Sequence, residues 1–148
     1  INGTIVFDGS FSGGGIAELG VLREPVTLEV KKGKIVAVKG GREAKIVEKW
    51  LADFKDPNMY NMAHLCYGFN PGAKLTGVCL EDERVWGATE WGLGNQGPMF
   101  KGTAGSASSH ADGICLNSSV WLDGEEIMHE GKLIHPELAK YAQKLGKQ

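Results

Sequence analysis

Apolar and polar residues alternate along residues 25–30 (PVTLEV) and again along 34–39 (KIVAVK), the period of strands with one buried face. The KKGK between them offers a glycine to a short turn, so the pair predicts a hairpin. Residues 4–8 (TIVFD) predict a strand before it, and 10–15 (SFSGGG) a flexible connection. The period becomes helical over 42–54 (REAKIVEKWLADF), where Ala44, Val47, Trp50 and Leu51 share one face. Residues 62–69 (MAHLCYGF) predict a strand ended by Asn70-Pro71-Gly72, and 84–93 predict another. A loop rich in Gly, Ser and Ala follows over 94–109. Short strands at 114–116 and 119–122, a turn at Asp123-Gly124 and a hairpin from 126–129 and 132–134 come next. A last helix over 136–145 has Pro136 in its first turn. The predicted class is α+β. A mostly antiparallel sheet curls or closes into a barrel-like form, with one internal and one C-terminal helix. No linker or repeat divides the chain, so residues 1–148 are expected to form a single domain.

Composition adds little to that pattern except through glycine. The 22 glycines among 148 residues are about twice the usual share and punctuate short strands. With 16 basic and 18 acidic residues the net charge is −2, which gives no electrostatic reason to expect nucleic acid or an anionic membrane as partner. No apolar run approaches the roughly 18 residues of a membrane span. Residues 1–9 are too short and polar for a signal peptide. The first residue is Ile rather than Met, so the expectation is a chain that begins after processing, cleavage or truncation. Cys66, Cys79 and Cys115 form no CxxC pair, which argues against a structural zinc site. Their odd number, without a secretory signal, predicts reduced thiols in a cytoplasmic protein. Each reads as a small buried hydrophobe.

The sharpest chemical signal is His110-Ala111-Asp112. On an extended segment, residues two apart point to the same side, so an imidazole and a carboxylate face one point. That supplies two ligands of a 2-His-1-carboxylate facial triad or of a hydrolytic zinc or manganese site. His64, between Ala63 and Leu65, is the candidate third ligand; alone it would read as a satisfied core histidine. Glu90 is a candidate general base or a carboxylate that orients a ligand histidine, against the alternative of a solvated strand end. His129 and His135 read as surface residues, and Glu81-Asp82-Glu83 as a solvated turn. Gly13-Gly14-Gly15 lacks the Lys-Ser/Thr of a phosphate loop.

The segments NGTIVFDGSF, PVTLEVKKGKIVAVKGG, GFNPGAKLTG, the LGN of WGLGN, HADG and VWLDGEEIMHEGKL together resemble one superfamily over most of the chain. It comprises the aminopeptidase T (M29, leucyl aminopeptidase-like) metallopeptidases and the 2,5-dihydroxypyridine 5,6-dioxygenases. The resemblance implies that His110 and Asp112 are metal ligands. It places His64 where peptidase-like members carry a glutamate ligand and dioxygenase members use a histidine to complete an iron triad. Glu90 stands where the peptidases have a further histidine. A peptidase glutamate ligand upstream of NGTIVFDG has no counterpart in this chain, and the resemblance implies an N-terminal domain that residues 1–148 lack.

These departures favour a mononuclear site. The first expectation is a non-haem Fe(II) dioxygenase that opens a hydroxylated aromatic or heteroaromatic ring such as 2,5-dihydroxypyridine. The alternative is a metallo-hydrolase, an aminopeptidase or amidase using Zn, Mn or Co. A binding or assembly domain with purely structural polar residues is the third reading. The expected partners are a small-molecule substrate, the N-terminal segment of the same protein and, by resemblance, further copies in a homo-oligomer.

Overall fold

In the computed structural model, which describes residues 1–147, the chain is α+β and dominated by antiparallel pairing. Strands β1 (Gly3–Phe7), β4 (Val26–Lys31) and β5 (Lys34–Gly40) form one sheet in the order β1-β4-β5. Its hairpin turns at Lys32 and Gly33, with φ of 49° and 75°. Two successive positive φ values give the turn whose twist matches the strands, and the glycine makes the second one inexpensive.

A second sheet combines β2 (Ser10–Ser12), β3 (Glu18–Val21), β6 (Met62–Tyr67), β7 (Thr89–Gly94) and β8 (His110–Cys115) in the order β3-β2-β8-β7-β6. The third is a small meander of β9 (Val120–Leu122), β10 (Glu125–His129) and β11 (Lys132–Leu133). Among the described residues each sheet keeps two edges, so the sheets curl without closing into a barrel.

Helix α1 (Arg42–Asp53) buries Ala44, Val47, Trp50 and Leu51, the face read from the sequence. Its Trp50 meets Phe11 edge-on at 6.5 Å and Phe54 at 5.1 Å, while Phe7 packs on Phe11 at 5.8 Å. This aromatic row joins the first sheet, the helix and the back of the five-stranded sheet into one core, to which Leu93, Ala111 and Trp91 also belong. Helix α3 (Pro136–Lys144) covers a smaller cluster of Met128, Leu133 and Ala142. No helix among the described residues is long and apolar enough to cross a membrane.

Several local expectations need correction. Residues 10–15 are not merely a flexible connection, because Ser10–Ser12 pair with β3 and β8. The strand expected over 84–93 begins only at Thr89. Ahead of it lies a one-turn helix, α2 (Cys79–Asp82). Glu81-Asp82-Glu83 is therefore not a solvated turn: Asp82 is fully buried and accepts hydrogen bonds from the backbone N–H groups of Thr76 and Gly77. A run of charge hid a carboxylate that replaces missing backbone partners in the 74–78 loop.

Candidate metal centre

Strands β6, β7 and β8 lie side by side, and their alternation separates two chemistries. Register places His64 opposite Gly92, and Gly92 opposite Asp112; Cys66 stands opposite Glu90. One face of the three strands thus carries His64, Cys66, Glu90, His110 and Asp112. The other carries Trp91, Leu93, Ala111 and Gly113, turned to the core.

Gly92 makes the row work. It sits on the middle strand between the two candidate ligands. A Cβ built there would lie 2.4 Å from His64 Cε1 and 2.5 Å from Nδ1. With no side chain at this position, the His64 ring lies across β7 and reaches toward β8. His64 and His110 then stack, with ring centroids 5.1 Å apart and planes 22° from parallel.

The polar atoms converge. His110 Nε2 is 2.9 Å from Asp112 Oδ1, and His64 Nε2 is 3.6 Å from the same oxygen. Ligand atoms of His64, His110 and Asp112 all lie within 4.8 Å of one another. His64 Nε2 also approaches Glu90 Oε2 at 3.0 Å. These side chains are withdrawn from solvent: 1% exposed for Glu90, 11% for His64, 14% for Asp112 and 34% for His110.

Burial governs their ionisation. Burial pushes the Glu90 carboxyl above its ordinary range, against the pull of His64. Burial also acts upward on Asp112, but the neighbouring His110 imidazole and Glu90 outweigh it and hold Asp112 low. His64 is raised by its bond to Glu90 and His110 by Asp112, each against the cost of burial. Two carboxylates this close and this buried repel unless positive charge lies between them.

The donor set fits a divalent cation. Ligands at about 2.1 Å on adjacent corners of an octahedron lie about 3.0 Å apart, which matches the 2.9 Å His110–Asp112 separation; the 3.6 Å His64–Asp112 separation is wider. Asp112 Oδ1 is buried and, despite the 2.9 Å approach of His110 Nε2, has no hydrogen-bond partner. Nitrogen and oxygen are close enough together to be shared by one ion.

A thiol adjoins the cluster on each side. Cys79 Sγ donates to Asp112 Oδ2 at 3.4 Å. Burial first, then the Asp112 charge, pushes the Cys79 thiol up to about 12. Cys66 lies beside Glu90, and burial followed by the Glu90 charge raises it to about 11. The sequence reading took the three cysteines for buried hydrophobes; all three are half-buried instead. The alternation that places His64 also places Cys66, so Cys66 could have been found. Nothing local pointed to Cys79. His129 and His135 lie away from the cluster, near Glu126 and Glu125 of the third sheet.

The family described as NicX: 2,5-dihydroxypyridine 5,6-dioxygenase matches residues 1–135. The chain belongs to this family. A 2,5-dihydroxypyridine 5,6-dioxygenase of Pseudomonas putida (strain KT2440) is 29% identical over 125 residues, covering 78% of this chain and 35% of that protein. The solved structure of 2,5-dihydroxypyridine dioxygenase from Pseudomonas putida KT2440 superposes with a TM-score of 0.77 at 25% identity, over 93% of this chain and 41% of that one. The chain thus spans well under half the length of the dioxygenases it matches. The family match narrows the resemblance to the dioxygenase branch; the metallopeptidase branch gains no support from it.

Proposed function

We propose that this chain forms the metal-holding part of a non-haem Fe(II) dioxygenase that cleaves the ring of a hydroxylated aromatic or heteroaromatic of the 2,5-dihydroxypyridine type. The observation that carries the reading is the convergence of two imidazoles and one carboxylate on one sheet face, in a chain of the NicX family. His64, His110 and Asp112 would hold the metal. Such a triad leaves one face of an octahedral ion open and one net positive charge. Fe(II) bound there supplies the one-electron chemistry that lets O2 react with an electron-rich ring.

The chain's own residues handle charge and protons. His64 Nε2 lies 3.0 Å from Glu90 Oε2, so if Nε2 held the metal, Glu90 would be the neighbouring carboxylate able to take up the displaced proton. When unprotonated, the same buried carboxylate would be the acceptor for the proton of a substrate hydroxyl. Burial raises its pKa, which favours its holding a proton. The stacked histidines and the sheet floor exclude water from one side of the cluster. In this reading the rest of the substrate pocket is walled by an N-terminal segment of the same protein, and the assembly is a homo-oligomer, as the resemblance implies.

The test uses the full-length protein that contains this chain. Metal content after anaerobic loading is measured together with O2 uptake on 2,5-dihydroxypyridine. Stoichiometric iron with substrate-dependent O2 consumption is expected. Zinc, manganese or cobalt supporting peptide hydrolysis, without O2 uptake, would overturn the reading in favour of the hydrolase.

A further inference from the structure

Asp112 has two oxygens with different surroundings. Oδ1 faces the imidazoles at 2.9 and 3.6 Å and accepts no hydrogen bond. Oδ2 accepts from the Cys79 thiol at 3.4 Å. A carboxylate on a short side chain rotates readily about its last bond. Nothing about Asp112 itself keeps one oxygen on the imidazole side, so the division between its oxygens is set from outside.

Cys79 is well fixed for that task. It opens the one-turn helix α2, which follows the 74–78 loop. Asp82, at the other end of that helix, is fully buried and ties the loop down through the Thr76 and Gly77 N–H groups at 2.7 and 2.9 Å. Gly77 in turn packs against Gly20 on β3, where an added Cβ would lie 3.3 Å from the Gly20 Cα. The thiol is thus held over β8 by the backbone of a neighbouring segment and a buried carboxylate.

We infer that Cys79 is a positioning residue: its S–H holds Asp112 Oδ2, so that Asp112 offers the metal a single oxygen, Oδ1. This inference rests on the proposed His64–His110–Asp112 metal site. Its consequence is coordination number. A carboxylate free to turn binds through both oxygens and fills a position that the reaction needs open. Partners that orient a ligand typically alter metal affinity by 10–100-fold.

The experiment follows Co(II) binding to the anaerobic full-length protein by titration and by visible absorption, with metal-free melting as the control for folding. His110→Ala tests the site itself and should abolish stoichiometric binding. Cys79→Ala and Cys79→Val remove the donor with smaller and larger side chains, while Cys79→Ser keeps an O–H. Both donor-less variants should shift the Co(II) affinity about tenfold or more and alter the d–d bands, and Cys79→Ser should stay within about threefold of the parent. Parent-like affinity and bands in either Cys79→Ala or Cys79→Val would overturn the inference while leaving the site intact. A sulfur-to-cobalt charge-transfer band in the parent would overturn it too, by making Cys79 a ligand; that readout does not depend on the variants folding. If the parent binds no Co(II), or His110→Ala binds as well as the parent, the site reading fails and this inference with it.

Discussion

The two faces of the β6–β7–β8 sheet are made by alternate residues of the same strands, and each depends on a glycine that makes room for a ring. On the front, Gly92 clears the His64 imidazole, which a Cβ would meet at 2.4 Å. On the back, Gly113 clears the Phe7 phenyl ring, which a Cβ would meet at 2.5 Å. The steric demand is the same and the outcome differs. Phe7 is fully buried in a close-packed core, whereas His64 sits in a polar cluster that could hold a metal ion. On the proposed reading the back glycine serves folding and the front glycine the metal site, although both lie in one short sheet.

The comparison is sharpened most by removing a proposed front-face ligand. His110→Ala and Asp112→Ala should each weaken Fe(II) or Co(II) binding by more than about 100-fold, beyond the range of residues that only orient ligands. Far-UV circular dichroism should be unchanged, because neither side chain belongs to the hydrophobic core. A variant that unfolds while its folded fraction keeps full metal content would make the residue structural.

Next come the paired glycines. Gly113→Ala should lower folding stability by about 1–3 kcal/mol through overpacking against Phe7, with metal stoichiometry per folded molecule retained. Gly92→Ala should leave denaturant midpoints closer to the parent and weaken metal binding about tenfold or more by displacing His64. Equal losses of stability and affinity in both variants would erase the distinction between the faces.

A smaller effect is expected from pH. His64 is raised by Glu90 and His110 by Asp112, so their contributions to the metal-free fold are complete below about 6.5 and vanish as pH rises through the raised values. Glu90, raised by burial, acts in the same sense from a lower starting point. Asp112 is held low, so its contribution is present above the ordinary carboxylate range and is lost only in acid. The metal-free melting temperature should therefore fall as pH rises above about 6.5, and flatten in His64→Ala. A rise above that pH would contradict the pairing of these groups.

The smallest effect belongs to the third sheet. His129 contacts Glu126 at 2.8 Å, as close as His110 is to Asp112, yet its side chain is 56% exposed. His129→Ala should leave the melting temperature and the metal affinity at the parent's values. An imidazole beside a carboxylate is thus not a site; withdrawal from water and convergence of several donors distinguish the cluster around His64.

The amino-acid sequence by itself determined what is local. Two-residue alternation wrote the β4–β5 hairpin, and the apolar stripe of Ala44, Val47, Trp50 and Leu51 wrote α1, because backbone geometry turns sequence spacing directly into a face. The same rule put His110 and Asp112 on one side of β8. It could not place β6 beside β7 and β7 beside β8, since strand order depends on which hydrophobic faces pack together across long stretches of chain. That order brought His64 to Asp112 from 48 positions away and made Gly92 the gap between them. Asp82 and Cys79 were illegible for a related reason. One looked like solvated charge and the other like a small hydrophobe, until folding buried Asp82 fully, left Cys79 half-buried and set Asp112 as the acceptor facing its thiol. Burial and long-range register are properties of the whole packed chain, so only the tertiary structure decided them.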